Sequence, residues 1–208
     1  MAKRRRNEKQ LPAGQQNRPS ETTLRIVGGS MRGRKIKYSG DQTVRPMKDR
    51  TREAVFNLVG PAINGMHAVD LFAGTGAMAI EAISRGAVGA TLIERHLPSA
   101  RVIRENLETL GICNQCQLIR GNAFFWDGAE ADKEVAWCVF CCPPYRFFHD
   151  QADKLHELIA RILDIAPVGS ILVAEAEIPY DFTSLQELGD WDVRTYRPAV
   201  IGVLEKLQ

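Results

Sequence analysis

Three short stretches hold residue types that could do chemistry. The first, VDLFAGTGAMAIEA, sets Asp70 ahead of a loop with Phe72, Gly74, Thr75 and Gly76, followed by an apolar run. Glycines in such a loop let the backbone approach a ligand closely, and a following helix offers its free N–H groups. The second is Glu94, at the end of ATLIE. An acid about 20 residues beyond a glycine loop, closing the next strand, reaches ribose hydroxyls in a Rossmann-type crevice. The third is the tetrapeptide Cys142-Pro143-Pro144-Tyr145. Tyr145 offers a π-face to a planar ring, and Pro143 offers a carbonyl oxygen to an amine. The proline pair stiffens the turn, so a bound group is aimed rather than merely held.

Two nucleoside cofactors compete for such a crevice. The dinucleotide fingerprint wants a third glycine where Ala79 stands, which decides nothing. Asp70 is more telling. A carboxylate at the strand end is a poor neighbour for a pyrophosphate and a good partner for an ammonium or a hydroxyl. S-adenosylmethionine carries an amino acid, a sulfonium and no phosphate, so it is the cofactor expected here.

The elements that position these residues read as alternating strands and helices. HAVDLF, ATLIE, QCQLIRG and EVAWCVFCC are strands. AMAIEAISRG, PSARVIRENLETLG and HDQADKLHELIARILDIA are helices. Strands alternating with 10–15-residue helices mean βαβ units and a mainly parallel sheet in three layers, an α/β fold. VGSILVAEAE, WDVRTYR and AVIGVLEKL are further strands, with a short helix near Phe182–Leu188. The last two strands lie too close for a helical crossover, so they form an antiparallel hairpin at one sheet edge. Upstream, TLRIVGGSMRGRKIKYSG has the pattern of a β-hairpin. VRPMKDRTREAVFNLVG places a helix capped by Asp49, with Val55, Phe56, Leu58 and Val59 buried and Arg50 and Arg52 near its start.

Charge divides the chain. Residues 1–52 hold 15 Lys/Arg against 4 Asp/Glu, a net +11, while residues 53–208 carry a net −9. The basic end suits a polyanion. Residues 1–20 read as a disordered basic arm, 21–60 as a basic extension suited to a polyanion, and 61–208 as the S-adenosylmethionine domain. No apolar run reaches the ~20 residues of a membrane span, and no apolar h-region follows the basic start, so a cytoplasmic protein is expected. The pairs Cys113/Cys116 and Cys138/Cys141 resemble a zinc spacing. Cys138 and Cys141 fall on a strand, however, where residues three apart face opposite ways, so no metal is expected.

From about Leu24 onward the sequence resembles the RsmD-like 16S rRNA guanine-N(2)-methyltransferases. The resemblance rests on RIVGGSMRGRK, VRPMKDRTREAVFN, VDLFAGTGAMAIEAISRGA, TLIER, GNAF and PPY. It implies a seven-stranded methyltransferase sheet acting on a flipped guanine of small-subunit rRNA, free or in the assembling subunit, by a protein expected to be a monomer. Asp70, Gly74 and Gly76 would hold the methionine end, with Phe72 and Thr75 also at the cofactor, Glu94 the ribose, Asn122 with Ala123 the adenine, and Pro143-Pro144-Tyr145 the target base. Arg25, Arg32, Arg34, Arg45, Arg50 and Arg52 would grip phosphates. One position departs: the family has Asp, or Asn in relatives, where this chain has Cys142. A thiol is a weak acceptor, and nothing else in the tetrapeptide replaces the missing oxygen. A slow enzyme is the expectation. A binding module without turnover, or a methyltransferase for another nucleic-acid base, stand as alternatives.

Overall fold

The computed structural model describes residues 22–40 and 46–208. The expected arm at 1–20 and Arg45 lie outside them. The chain builds a seven-stranded sheet and a separate two-stranded one. The small sheet pairs β1 (Thr22–Arg25) antiparallel with β2 (Lys35–Tyr38). The large sheet comprises β3 (His67–Asp70), β4 (Gly89–Glu94), β5 (Cys116–Arg120), β6 (Trp137–Cys141), β7 (Ile171–Glu177), β8 (Asp192–Tyr196) and β9 (Ala199–Glu205). Its order is β5-β4-β3-β6-β7-β9-β8, parallel except for β9, which runs antiparallel to both β7 and β8. The strand order reverses between β3 and β6, where β4 and β5 lie to one side and β7 to the other. In open α/β sheets ligands bind outside the carboxyl ends of the strands at such a switch point.

The central strands are buried on both faces, as parallel strands must be when helices cover each side. Alternate residues feed two cores. Ala68, Cys138, Phe140 and Val173 point into one, and Val69, Val139, Cys141 and Leu172 into the other. Cys138 and Cys141 therefore face opposite layers, as strand geometry demands. All five cysteines are free thiols. Among the described residues no helix is long and apolar enough to cross a membrane.

Helix α1 (Asp49–Val59) buries Val55, Phe56 and Val59, while Leu58 is only half-buried. Asp49 is not its cap. Lys48 occupies that position, and Asp49 stands first in the helix, where its carboxylate binds Arg25 at 2.9 Å and Arg52 at 2.9 Å. Helix α2 (Ala77–Ser84) is buried at every residue, because it is covered twice. The sheet takes one side and the loop of the β1–β2 hairpin takes the other. Glu81 on α2 accepts the Val27 and Gly28 amides at 2.9 and 2.6 Å, and Ser84 accepts the Met31 amide at 2.9 Å. Gly29 sits at φ +73°, and a Cβ there would stand 1.8 Å from the Ser84 carbonyl oxygen. Only glycine closes that contact.

Helix α3 (Leu97–Leu110) receives the far side of the hairpin, with Asn106 bonded both ways to the Lys37 backbone at 2.8 and 2.7 Å. The single helix expected over residues 149–166 is two. Helix α4 (Phe147–Asp150) and helix α5 (Ala152–Ile165) break at Gln151, which has φ −139°. The first turn starts early because the Pro144 carbonyl accepts the Phe147 amide at 2.8 Å. Residues 22–40 and 46–59 share one core with the sheet, in which Ile26, Met31, Ile36 and Phe56 pack with Ala68, Phe140 and Ile201.

Candidate active site

The carboxyl ends of β3, β4, β6 and β7 open onto one cavity of about 540 Å³. It contains Asp70, Phe72, Gly74, Thr75, Glu94, Asn122, Ala123 and the whole Cys142–Tyr145 turn. The structure thus brings together almost every residue expected from the sequence at the cofactor and base. Gly76 lies just behind, as the left-handed cap of α2 (φ +74°), and its Cβ would press on Ile103 at 3.2 Å.

Asp70 is 1 % exposed, and among the described residues its Oδ2 has no hydrogen-bond partner. Burial, aided by the nearby negative charge of Glu94, pushes its carboxyl up to about 7, against a downward pull from the Ala79 and Phe72 amides. A buried, unsatisfied carboxylate oxygen at a cavity wall is costly unless a donor arrives. Glu94 differs in being satisfied. Its Oε2 accepts the Gly74 amide and its Oε1 the His96 amide, each at 2.6 Å. Glu94 therefore shapes the glycine loop as well as facing the cavity, a role the spacing alone did not reveal. Asn122 Oδ1 caps the short turn Ala123–Phe125 by accepting the Phe124 amide at 3.2 Å.

In the Cys-Pro-Pro-Tyr turn, Pro143 is buried, Pro144 exposed and Tyr145 half-buried. The Tyr145 hydroxyl donates to Glu175 Oε1 at 2.7 Å. Burial first, then the charges of Glu175 and Asp70, push the Cys142 thiol well above its ordinary range, so it stays protonated. Glu175 is not singled out in the sequence, where ILVAEAE reads simply as a strand; it is 7 % exposed and inside the cavity. Aromatic rings build an adjoining wall. Phe72, Phe124 and Phe147 contact one another edge-on or tilted at 5.8–6.1 Å, with Arg95 lying over the Phe147 ring. Part of the remaining wall comes from the N-terminal segment, through Pro46, Met47, Lys48 and Thr51.

The arginines expected to grip phosphate divide into three kinds. Arg32 and Arg50 are exposed. Arg25 and Arg34 are exposed but engaged: Arg25 pairs with Asp49, and Arg34 donates to the Thr109 and Leu110 carbonyls that close α3. Arg52 is 1 % exposed and cannot reach a phosphate. It ties the Met47 and Arg25 carbonyls to Asp49, holding β1 against the start of α1.

Comparison with known proteins gives a consistent picture. The family described as Conserved hypothetical protein 95 matches residues 24–201. The Ribosomal RNA small subunit methyltransferase D of Escherichia coli (strain K12) is 37% identical over 130 residues, covering 62% of this chain and 64% of that protein. Its namesake in Haemophilus influenzae is 32% identical over 125 residues, covering 60% and 65%. The chain thus spans just under two thirds of the length of these two relatives. Among solved structures, a Thermus thermophilus protein described only as hypothetical superposes with a TM-score of 0.65 at 25% identity, covering 88% of this chain and 99% of that one. A 16S rRNA N2 methyltransferase of the same species, solved with AdoMet and guanosine, shares the fold at 18% identity and TM-score 0.67, covering 89% and 50%.

Proposed function

The chain belongs to the Conserved hypothetical protein 95 family, the RsmD family, and from that premise we propose that it moves a methyl group from S-adenosylmethionine to the exocyclic amine of a guanine in small-subunit rRNA. The observation that carries the proposal is the single cavity onto which the glycine loop, the unsatisfied Asp70 oxygen and the Pro-Pro-Tyr turn all open. The residues fit the cofactor. Among the described residues Asp70 Oδ2 lacks the donor that an ammonium supplies, and Gly74 lines the cavity at φ +52°, a left-handed backbone that glycine adopts without strain. Asp70 and the glycine loop take the methionine end, Glu94 the ribose, and Asn122 with Ala123 the adenine.

When bound, S-adenosylmethionine supplies an electrophilic methyl group on a sulfonium sulfur. The chain supplies position. Extruding a base from its stack costs a few kcal/mol, which a stacking face must offset, and Tyr145 presents one. The Pro143 carbonyl accepts a hydrogen bond from the amine, fixing the nitrogen lone pair toward the methyl. Cys142 stays a neutral thiol and so does not compete for the methyl. Arg32 and Arg50 give the basic N-terminal segment its exposed phosphate contacts.

Labelled S-adenosylmethionine offered with 30S particles, naked 16S rRNA or duplex DNA tests the reading. Label on a guanine amine of rRNA supports it. Label on DNA, or on another base, replaces it.

A further inference from the structure

We propose that Glu175 is the residue that selects guanine, by accepting hydrogen bonds from the base's N1–H and N2–H groups. The proposal rests on the methyl-transfer reading above. In the pairing of β6 with β7, Cys141 stands opposite Ala174, so Glu175 is level with Cys142, one residue beyond the end of β6. It lines the same cavity as Asp70, Cys142, Pro143 and Tyr145. A carboxylate buried this deeply is retained only where donors meet it. Tyr145 provides one, at 2.7 Å.

The Tyr145 bond also does geometric work. The ring expected to stack on the base is the ring whose hydroxyl pins the carboxylate, so stacking face and acceptor edge are held as one unit. A base lying against Tyr145 presents its edge toward Glu175. Guanine offers two adjacent donors there, matching a carboxylate's two oxygens. Adenine and cytosine each place a ring-nitrogen lone pair beside their amine, which faces an oxygen repulsively. Uracil has one donor between two acceptors. The carboxylate that the Cys-Pro-Pro-Tyr turn lacks is thus delivered from the neighbouring strand. Leaving a buried acceptor opposed by a lone pair is the kind of mismatch that yields large discrimination between substrates.

The test uses the full chain and a 16S rRNA fragment spanning the guanine that the wild type methylates. The fragment is synthesised with guanine, or with 2-aminopurine, at that one position. 2-Aminopurine keeps the amine but has an acceptor at N1. Wild type should favour guanine by about 10²-fold or more. Glu175→Gln retains an oxygen for Tyr145 and for the amine, and turns a donor toward N1. It should lower transfer to guanine by about a hundredfold, and leave or raise transfer to 2-aminopurine, with cofactor affinity unchanged in calorimetry. Tyr145→Phe, which keeps the ring and releases the carboxylate, should lose part of the discrimination. Equal losses on both substrates, an unmoved ratio or a collapse of cofactor affinity would overturn the assignment of Glu175. Wild-type transfer to a base other than guanine would instead overturn the methyl-transfer reading on which it rests.

Discussion

At the scale of single residues, Asp70 sets the first expectation. Its carboxyl titrates near 7 because it is buried beside Glu94, so about half is ionised at neutral pH. An ammonium ligand favours the ionised form. Cofactor affinity should therefore rise about fivefold from pH 6 to 7, then turn over near pH 8 as the ligand's α-amino group loses its proton. The stability sign is opposite. A raised carboxyl pKa means the ligand-free fold is most favoured at low pH, and this contribution is lost as pH climbs from the ordinary carboxylate value through 7. Calorimetry across that range checks the affinity, and Asp70→Asn should flatten its rising limb. Glu94→Gln should weaken cofactor binding about 10- to 100-fold, since one charged acceptor must serve both ribose and the Gly74 amide. Unchanged affinity would remove Glu94 from the cofactor site. Cys142→Asp should raise the single-turnover rate on rRNA by up to about tenfold. That is less than the ~10²–10³ a missing preorganised donor or acceptor costs, because Glu175 already places a carboxylate beside it. A rate that collapses in both Cys142→Asp and Cys142→Ser would give the thiol a positive role.

At the scale of elements, the decisive unit is α2 between the sheet and the N-terminal hairpin. Gly29→Ala puts a Cβ against the Ser84 carbonyl and demands a left-handed alanine, so it should cost roughly 2–4 kcal/mol in urea unfolding and loosen the hairpin first. How much of this was legible follows from what each signal encodes. The βαβ alternation fixed strands and helices to within a few residues, because periodicity reports burial directly. The glycine loop and Glu94 were legible because their spacing is the spacing of a strand, a turn and a helix. Glu175 and the burial of Arg52 were not, since each depends on which distant strand or carbonyl arrives next to it. Asp49 shows the same limit. Its type suited a cap, but the nearby Arg25 and Arg52 guanidinia took its oxygens.

At the scale of the whole molecule, the arginines separate grip from scaffold. Arg32→Ala with Arg50→Ala should weaken RNA binding and reduce the salt slope by about 1.4–1.8, at roughly 0.7–0.9 for each phosphate no longer neutralised. Cofactor affinity should stay the same. Arg52→Ala should leave the slope unchanged and lower the unfolding midpoint, because it removes a buried tie between β1 and α1. An altered slope in Arg52→Ala would return that residue to the RNA-binding surface. The charge division of the sequence therefore overstates that surface, since part of the positive charge is spent inside.

The doubly covered helix has a further consequence for the order of events during synthesis. The loop at Val27 and Gly28 bonds to Glu81, 54 and 53 residues later in the chain. At about 5–20 residues per second, translation keeps that loop waiting roughly 3–10 seconds for its acceptor. A two-stranded hairpin alone is marginal in water, so Ile26, Met31 and Ile36 have no lasting shelter in that interval. Protection of their amides in stalled nascent chains should begin only once Ser84 has left the exit tunnel, making the first segment translated one of the later ones to fold.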